Sequence, residues 1–169
     1  MIQDVIITDR ENVRKCSIHP LIYREDLLFF PSSGLDSREP WQNLLFLHTE
    51  GEPLTEQDAG KGLLLLDASW KRAFKVAMHP IFQNLPKRSL PGLKTSYPRV
   101  SRLYEMPHGG LASVEALFAA RLIQGRADID LLKHYYWKNQ FLELNKDWIL
   151  SQLSNSCNKN AKIEDYILS

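Results

Sequence analysis

The sequence predicts an α/β fold around a largely parallel sheet, and three observations carry that prediction. Short apolar runs bounded by turn formers alternate with segments of helical spacing, the order that builds a parallel sheet through crossover helices. Gly62-Leu63-Leu64-Leu65-Leu66 is apolar without interruption, as suits a central strand buried on both faces. In Ser113 to Gln124, residues Val114, Leu117, Phe118, Arg121 and Leu122 recur at helical spacing, and Gly125 follows, the pattern of a packed helix with a glycine stop.

The elements follow in order. Residues 2–8 (IQDVIIT) read as a short strand, and 26–30 (DLLFF) and 44–48 (LLFLH) are compact apolar runs set off by Pro31 to Gly34, Gly51 and Pro53, so both predict strands. Thr55 to Gly60 offers a capped helical turn, with Thr55 at its start and Asp58 three residues on. After the 62–66 strand, Ser69 to Met78 predicts a helix with Trp70, Phe74 and Ala77 on one face. His79-Pro80 reads as its stop. Residues 79–111 hold five of the nine prolines, so loop with short strands is expected there. Beyond 113–124, Asp130 to Asn145 predicts a second long amphipathic helix rich in aromatics. Residues 154–169 contain little apolar material and read as a flexible tail. In domain terms this gives an N-terminal module over 1–50, a main domain over 51–153 and the tail.

With 169 residues, 44% hydrophobic and 24% charged, the composition is that of a soluble globular chain. No run approaches the roughly 18–20 apolar residues that span a bilayer, and no secretory leader is visible. Cys16 and Cys157 form no CxxC pair and no metal-ligand spacing, which together predict a cytoplasmic protein with reduced thiols. The five histidines make no metal constellation, so no metal is expected. The net charge of +1 conceals an uneven distribution. Between Asp67 and Glu105 there is no acid, while Lys71, Arg72, Lys75, Lys87, Arg88, Lys94, Arg99 and Arg102 supply +8, leaving −7 for the remainder. Such a stretch is either a solvated face or a phosphate-contacting surface.

LLLLDASW (63–70) carries the chemistry. An acid ending a buried strand just before a helix stands where open α/β sheets place their ligands; Asp67 equally suits a helix cap, and Trp70 a core position. Glu115, in the first turn of the 113–124 helix, suits the helix dipole better than catalysis. Tyr135, Tyr136, Trp137 and Phe141 suit a packing face, although an exposed tyrosine can stack on an unpaired base. GxGxxG, P-loop, HExxH and GxSxG motifs are all absent.

The element Asp67-Ala68-Ser69-Trp70 after an apolar strand resembles the signature of the DTW-domain proteins and of the small-subunit rRNA aminocarboxypropyltransferases. Four further stretches resemble the rRNA branch, in its order, over residues 5–150: Arg14-Lys15-Cys16-Ser17 with Leu21, Arg88-Ser89-Leu90-Pro91-Gly92-Leu93, Leu111 to Leu117, and Trp137 through Phe141-Leu142-Glu143-Leu144-Asn145. The resemblance implies a SPOUT-like α/β domain with a C-terminal trefoil knot that binds S-adenosylmethionine. It implies Ser17, Leu66, Leu90, His108, Gly109 and Ser113 as cofactor contacts, and Asp67 and Trp70 at the reaction centre. There Asp67 is either the base for a uracil N3–H or the partner of the cofactor's amino group. Trp70 either packs on the cofactor's aliphatic chain or holds Asp67. An RNA substrate would meet Arg14, Lys15, Lys71, Arg72, Lys87, Arg88, Arg99 and Arg102. The sequence departs from the rRNA branch at Lys94-Thr95-Ser96-Tyr97-Pro98-Arg99, which, with Arg102 before Gly109-Gly110, is closer to the tRNA-modifying branch. The expectation is therefore a monomeric aminocarboxypropyltransferase acting on a uridine or pseudouridine of small-subunit rRNA. A tRNA uridine is second. An RNA methyltransferase on the same fold is the competing enzyme reading, and a non-catalytic RNA-binding or ribosome-assembly factor is the reading from a different class.

Overall fold

The computed structural model describes residues 2–9, 16–35, 41–98 and 110–154, with Trp70 described by its backbone alone. Among the described residues five strands form one sheet: β1 (Asp4–Thr8), β2 (Leu27–Pro31), β3 (Leu44–Pro53), β4 (Gly62–Asp67) and β5 (Lys87–Ser89), in the order β2-β1-β4-β3-β5. Every pairing is parallel. The helices are α1 (Trp70–Ala77), α2 (Pro80–Gln83), α3 (Ser113–Ile123), α4 (Lys138–Leu144) and α5 (Lys146–Leu153). The α/β class and the central position of the 62–66 run are as the sequence predicts. Among the described residues no helix is long and apolar enough to cross a membrane.

The chain divides into two compact units, residues 1–53 with 60–89 and residues 54–59 with 90–169. The first holds the whole sheet, to which residues 1–50 contribute β1, β2 and most of β3. Along β4, Leu63 and Leu64 are fully buried and Leu65 nearly so, which requires cover on both faces and explains the unbroken apolar run. On one face Val5, Ile7, Leu44, Phe46 and Leu64 pack with Trp41 and Phe82. The Phe46 and Phe82 rings lie 5.4 Å apart. Buried Asp4 accepts the Leu63 N–H at 2.8 Å. Gly62 is required by close approach: a Cβ there would collide with the carbonyl oxygen of Gln3.

In the second unit α3 is buried almost all round, through Val114, Leu117, Phe118, Ala119, Ala120, Leu122 and Ile123, as a core helix must be. Gly125 takes φ +75° just past its end, a left-handed stop that glycine adopts without steric penalty. Phe118 meets Phe141 of α4 edge-on at 6.1 Å. The 56–58 turn is capped as expected: Thr55 and Asp58 form a reciprocal box, with the Thr55 N–H donating to Asp58 Oδ2 at 3.2 Å.

Three expectations need correction. The single helix over 130–145 is instead a 3-10 turn at Ile129–Leu132, an irregular stretch, and α4. Ser96 Oγ donates to the Trp137 carbonyl and the Tyr135 hydroxyl is drawn into a buried network. These tertiary bonds hold the 133–137 backbone out of the helical ladder. A further helix, α5, then begins at Lys146, where the sequence suggested none. Phe74 is not on a packed face but 52% exposed. His79 is more than a stop: it caps α2, its ring nitrogen accepting the Ile81 N–H at 3.4 Å. Residues 155–169, read as a tail, lie outside the described residues.

Candidate active site

β4 delivers Asp67 to its carboxyl end, opposite Thr8 of β1, in the position where parallel sheets expose loops rather than strand. The side chain is fully buried. Its Oδ2 accepts the thiol of Cys16 at 2.9 Å, and its carbonyl accepts the Asp9 N–H at 3.1 Å. The N-cap position of α1 belongs to Ser69, two residues on, and the Ser69 carbonyl takes the first helical bond from Ala73 at 2.8 Å. Buried carboxylates persist where they are hydrogen-bonded, and the Cys16 thiol is one such partner. It also carries Ser17, its chain neighbour, to the strand end. Leu66, one residue before Asp67, is half-buried.

Ser113 opens α3 in the second unit and is 9% exposed. Leu90 is half-buried at the start of an irregular segment. That segment is held from two sides. Asn145 accepts the Lys94 N–H at 2.9 Å and donates to the Lys94 carbonyl at 2.8 Å. Glu115, fully buried, gathers Thr95 Oγ1 (2.7 Å), Ser96 N and Ser96 Oγ (2.9 Å each), Ala112 N (2.8 Å) and the Tyr135 hydroxyl (2.8 Å). Burial, with the neighbouring Glu115 charge adding to it, pushes the Tyr135 phenol well above its ordinary value. The dipole role expected for Glu115 understates it: the carboxylate is the polar centre of its unit. Its place in the first turn of α3, where a capping-box acid sits, was the available signal. For Cys16 against Asp67, 51 residues apart, no local signal exists.

The candidate cations are differently placed. Arg72 pairs with Asp9 (3.6 Å) and Arg88 with Glu52 (3.3 Å), so an acid-free stretch of sequence is not acid-free in space. Lys71 is exposed and Lys87 half-buried. Burial and the Lys87 charge lower the His48 imidazole below its usual value. Arg14, Lys15, Arg99, Arg102, His108 and Gly109 lie outside the described residues, as does the side chain of Trp70. Among the described residues no group of three His, Cys, Asp or Glu side chains is placed to hold a metal ion.

Within the first unit, the buried Asp67 carboxylate and the Cys16 thiol stand beside apolar Leu66, polar and apolar groups of the kind that hold a charged, partly aliphatic ligand. Comparison with known proteins gives the following. A family described as "Ribosome biogenesis protein, C-terminal" matches residues 48–167. The 16S rRNA aminocarboxypropyltransferase of Vulcanisaeta distributa is 32% identical over 116 residues, which cover 65% of this chain and 60% of that relative's length. The solved structure of the SAM-dependent rRNA:acp-transferase Tsr3 from Vulcanisaeta distributa superposes with a TM-score of 0.68 at 28% identity, covering 90% of this chain and 83% of that one. With that family match running over most of its length, this chain belongs to the family described as "Ribosome biogenesis protein, C-terminal".

Proposed function

We propose that the chain transfers the 3-amino-3-carboxypropyl group of S-adenosylmethionine to a uridine or pseudouridine of small-subunit rRNA. The observation that carries the proposal is Asp67: a fully buried carboxylate ending the central parallel strand, held by a thiol, in a chain of this family. When bound, S-adenosylmethionine supplies a sulfonium with three carbon neighbours open to displacement. The protein's part is to select one of them by orientation, which is itself a large catalytic effect. Asp67 would accept the proton of a pyrimidine N3–H as that nitrogen bonds to the aminocarboxypropyl carbon, whose bond to sulfur breaks with methylthioadenosine leaving; Cys16 would fix which way the carboxylate points. Ser17, Leu66, Leu90 and Ser113 are the proposed cofactor contacts, joined by His108 and Gly109, and Trp70 belongs with Asp67. The relatives' printed activities support this reading, and so does the family match.

The proposal extends to a SPOUT-type domain over 51–153 closed by a C-terminal trefoil knot, in a cytoplasmic monomer. The five-stranded parallel sheet supports the α/β part of that description. A tRNA uridine is the second substrate reading, favoured by Lys94-Thr95-Ser96-Tyr97 at the point where the sequence leaves the rRNA pattern.

One experiment tests both. The protein is incubated with separated tRNA and small-subunit RNA and with cofactor labelled either in the carboxyl carbon or in the methyl group. Carboxyl label is expected in the small-subunit RNA. Label in tRNA alone would reverse the substrate, and transfer of the methyl label would overturn the reaction.

A further inference from the structure

The second unit carries an aromatic cluster that the transfer reaction does not use. The Trp137 ring is met edge-on by three tyrosines: Tyr97 at 5.0 Å, Tyr136 at 5.0 Å and Tyr135 at 5.9 Å between centroids. Tyr135 is buried and anchored by its hydroxyl to Glu115. The Trp137 carbonyl is held by Ser96 Oγ at 3.2 Å. Tyr136, by contrast, is 88% exposed. A tyrosine left almost wholly in water, beside a tryptophan fixed from behind, presents a ring whose placement is already constrained. Binding through such a ring loses little conformational entropy.

The composition of the two ring-bearing segments selects the occupant. No acid occurs from Leu131 to Leu142 or from Leu90 to Pro98, the two segments that supply the rings, while Lys133, Lys138 and Lys94 lie in them. Lys94 and Lys133 are exposed. Aromatic faces interleaved with cations suit single-stranded nucleic acid, whose bases stack while its phosphates meet the charges. An acidic peptide would use the cations but has no need of the exposed ring.

We propose that Tyr136, backed by Trp137 and Tyr97, stacks an unpaired base of the RNA substrate. The inference rests on the RNA reading above. It also gives the Tyr97 segment, where the sequence leaves the rRNA pattern, a part in choosing the RNA.

The test uses the full chain and a fluorescein-labelled, single-stranded, uridine-rich RNA 12-mer, with a duplex of equal length as control, read by anisotropy. Tyr136→Ala is expected to weaken the single strand by about tenfold, the scale of one lost base stack, and to leave duplex binding unchanged. Tyr136→Phe, which keeps the ring, should restore single-strand affinity to within about twofold of wild type. Equal binding by wild type and Tyr136→Ala overturns the proposal, as does an equal loss on the duplex. If Tyr136→Ala leaves RNA binding intact but removes protection of that surface by ribosomal proteins, the surface belongs to a protein partner and the proposal fails. Transfer onto small-subunit RNA is measured in parallel. Transfer without any binding of the 12-mer refutes the stacking surface alone, whereas ring-dependent binding without transfer to any RNA refutes the reaction and leaves the surface standing.

Discussion

Asp67 and Glu115 are both carboxylates with no exposed surface, one in each unit, and they stand in different surroundings. Glu115 is saturated by backbone amides, hydroxyls and a phenol drawn from three segments. Strong neutral donors of this kind fix a fold, because each would be stranded without its acceptor. Asp67 stands at the carboxyl end of a parallel strand, where such sheets place ligands, and one of its partners is the Cys16 thiol. Burial of a carboxylate is thus no mark of catalysis by itself. What separates the two is position: one ends a strand of the sheet, the other opens a packed helix.

That contrast can be broken at either residue. Asp67→Asn preserves shape and is expected to lower single-turnover transfer by about 10²–10⁴-fold, with cofactor affinity by calorimetry within a few-fold of wild type. A wild-type rate would make Asp67 as structural as Glu115. Glu115→Ala is expected to cost at least about 3 kcal/mol in urea unfolding, since several buried donors each lose roughly 1–3 kcal/mol. An unchanged midpoint would deny it the central role.

Tyr135→Phe sharpens the Glu115 side. It should cost about 1–2 kcal/mol at neutral pH and also alter the alkaline limb. The folded phenol is raised above its ordinary value of 10.0, so its stabilisation is complete below that pH and is lost as pH climbs beyond it. The Phe variant should therefore lose less stability than wild type on going to high pH. Cys16→Ala sharpens the Asp67 side with the smallest effect. Loss of one hydrogen bond of about 1 kcal/mol corresponds to roughly a fivefold lower turnover number, with KM unchanged if the thiol only orients the carboxylate.

The sequence made β4, α3 and the parallel class legible because each has an unambiguous period: an unbroken apolar run, or apolar residues at helical spacing. Asp67 was legible from its place at the end of that run. The interruption at 133–137 was not, because it depends on where Ser96 and Glu115 lie in space, and helical spacing persists through it. Phe74 fails for the same reason: an apolar residue at the right interval predicts a packed face only if something comes to cover it. The partnerships of Cys16 with Asp67 and of Asn145 with Lys94 each span 51 residues, beyond the reach of any local pattern.

The all-parallel order of the sheet has a consequence for synthesis. β1 pairs with β2 and β4, and Ile6 meets Leu65, which is made 59 positions later. At about 5–20 residues per second, roughly 3–12 seconds separate the two during translation. Throughout that interval the Val5-Ile6-Ile7 run has at most one neighbour, and its other edge offers unpaired backbone to any passing strand. Non-local parallel pairing is slow to form for the same loop-closure reason. The nascent chain should therefore associate with strand-binding chaperones until β4 emerges, and a ribosome-bound fragment ending before Gly62 should be the species they hold longest.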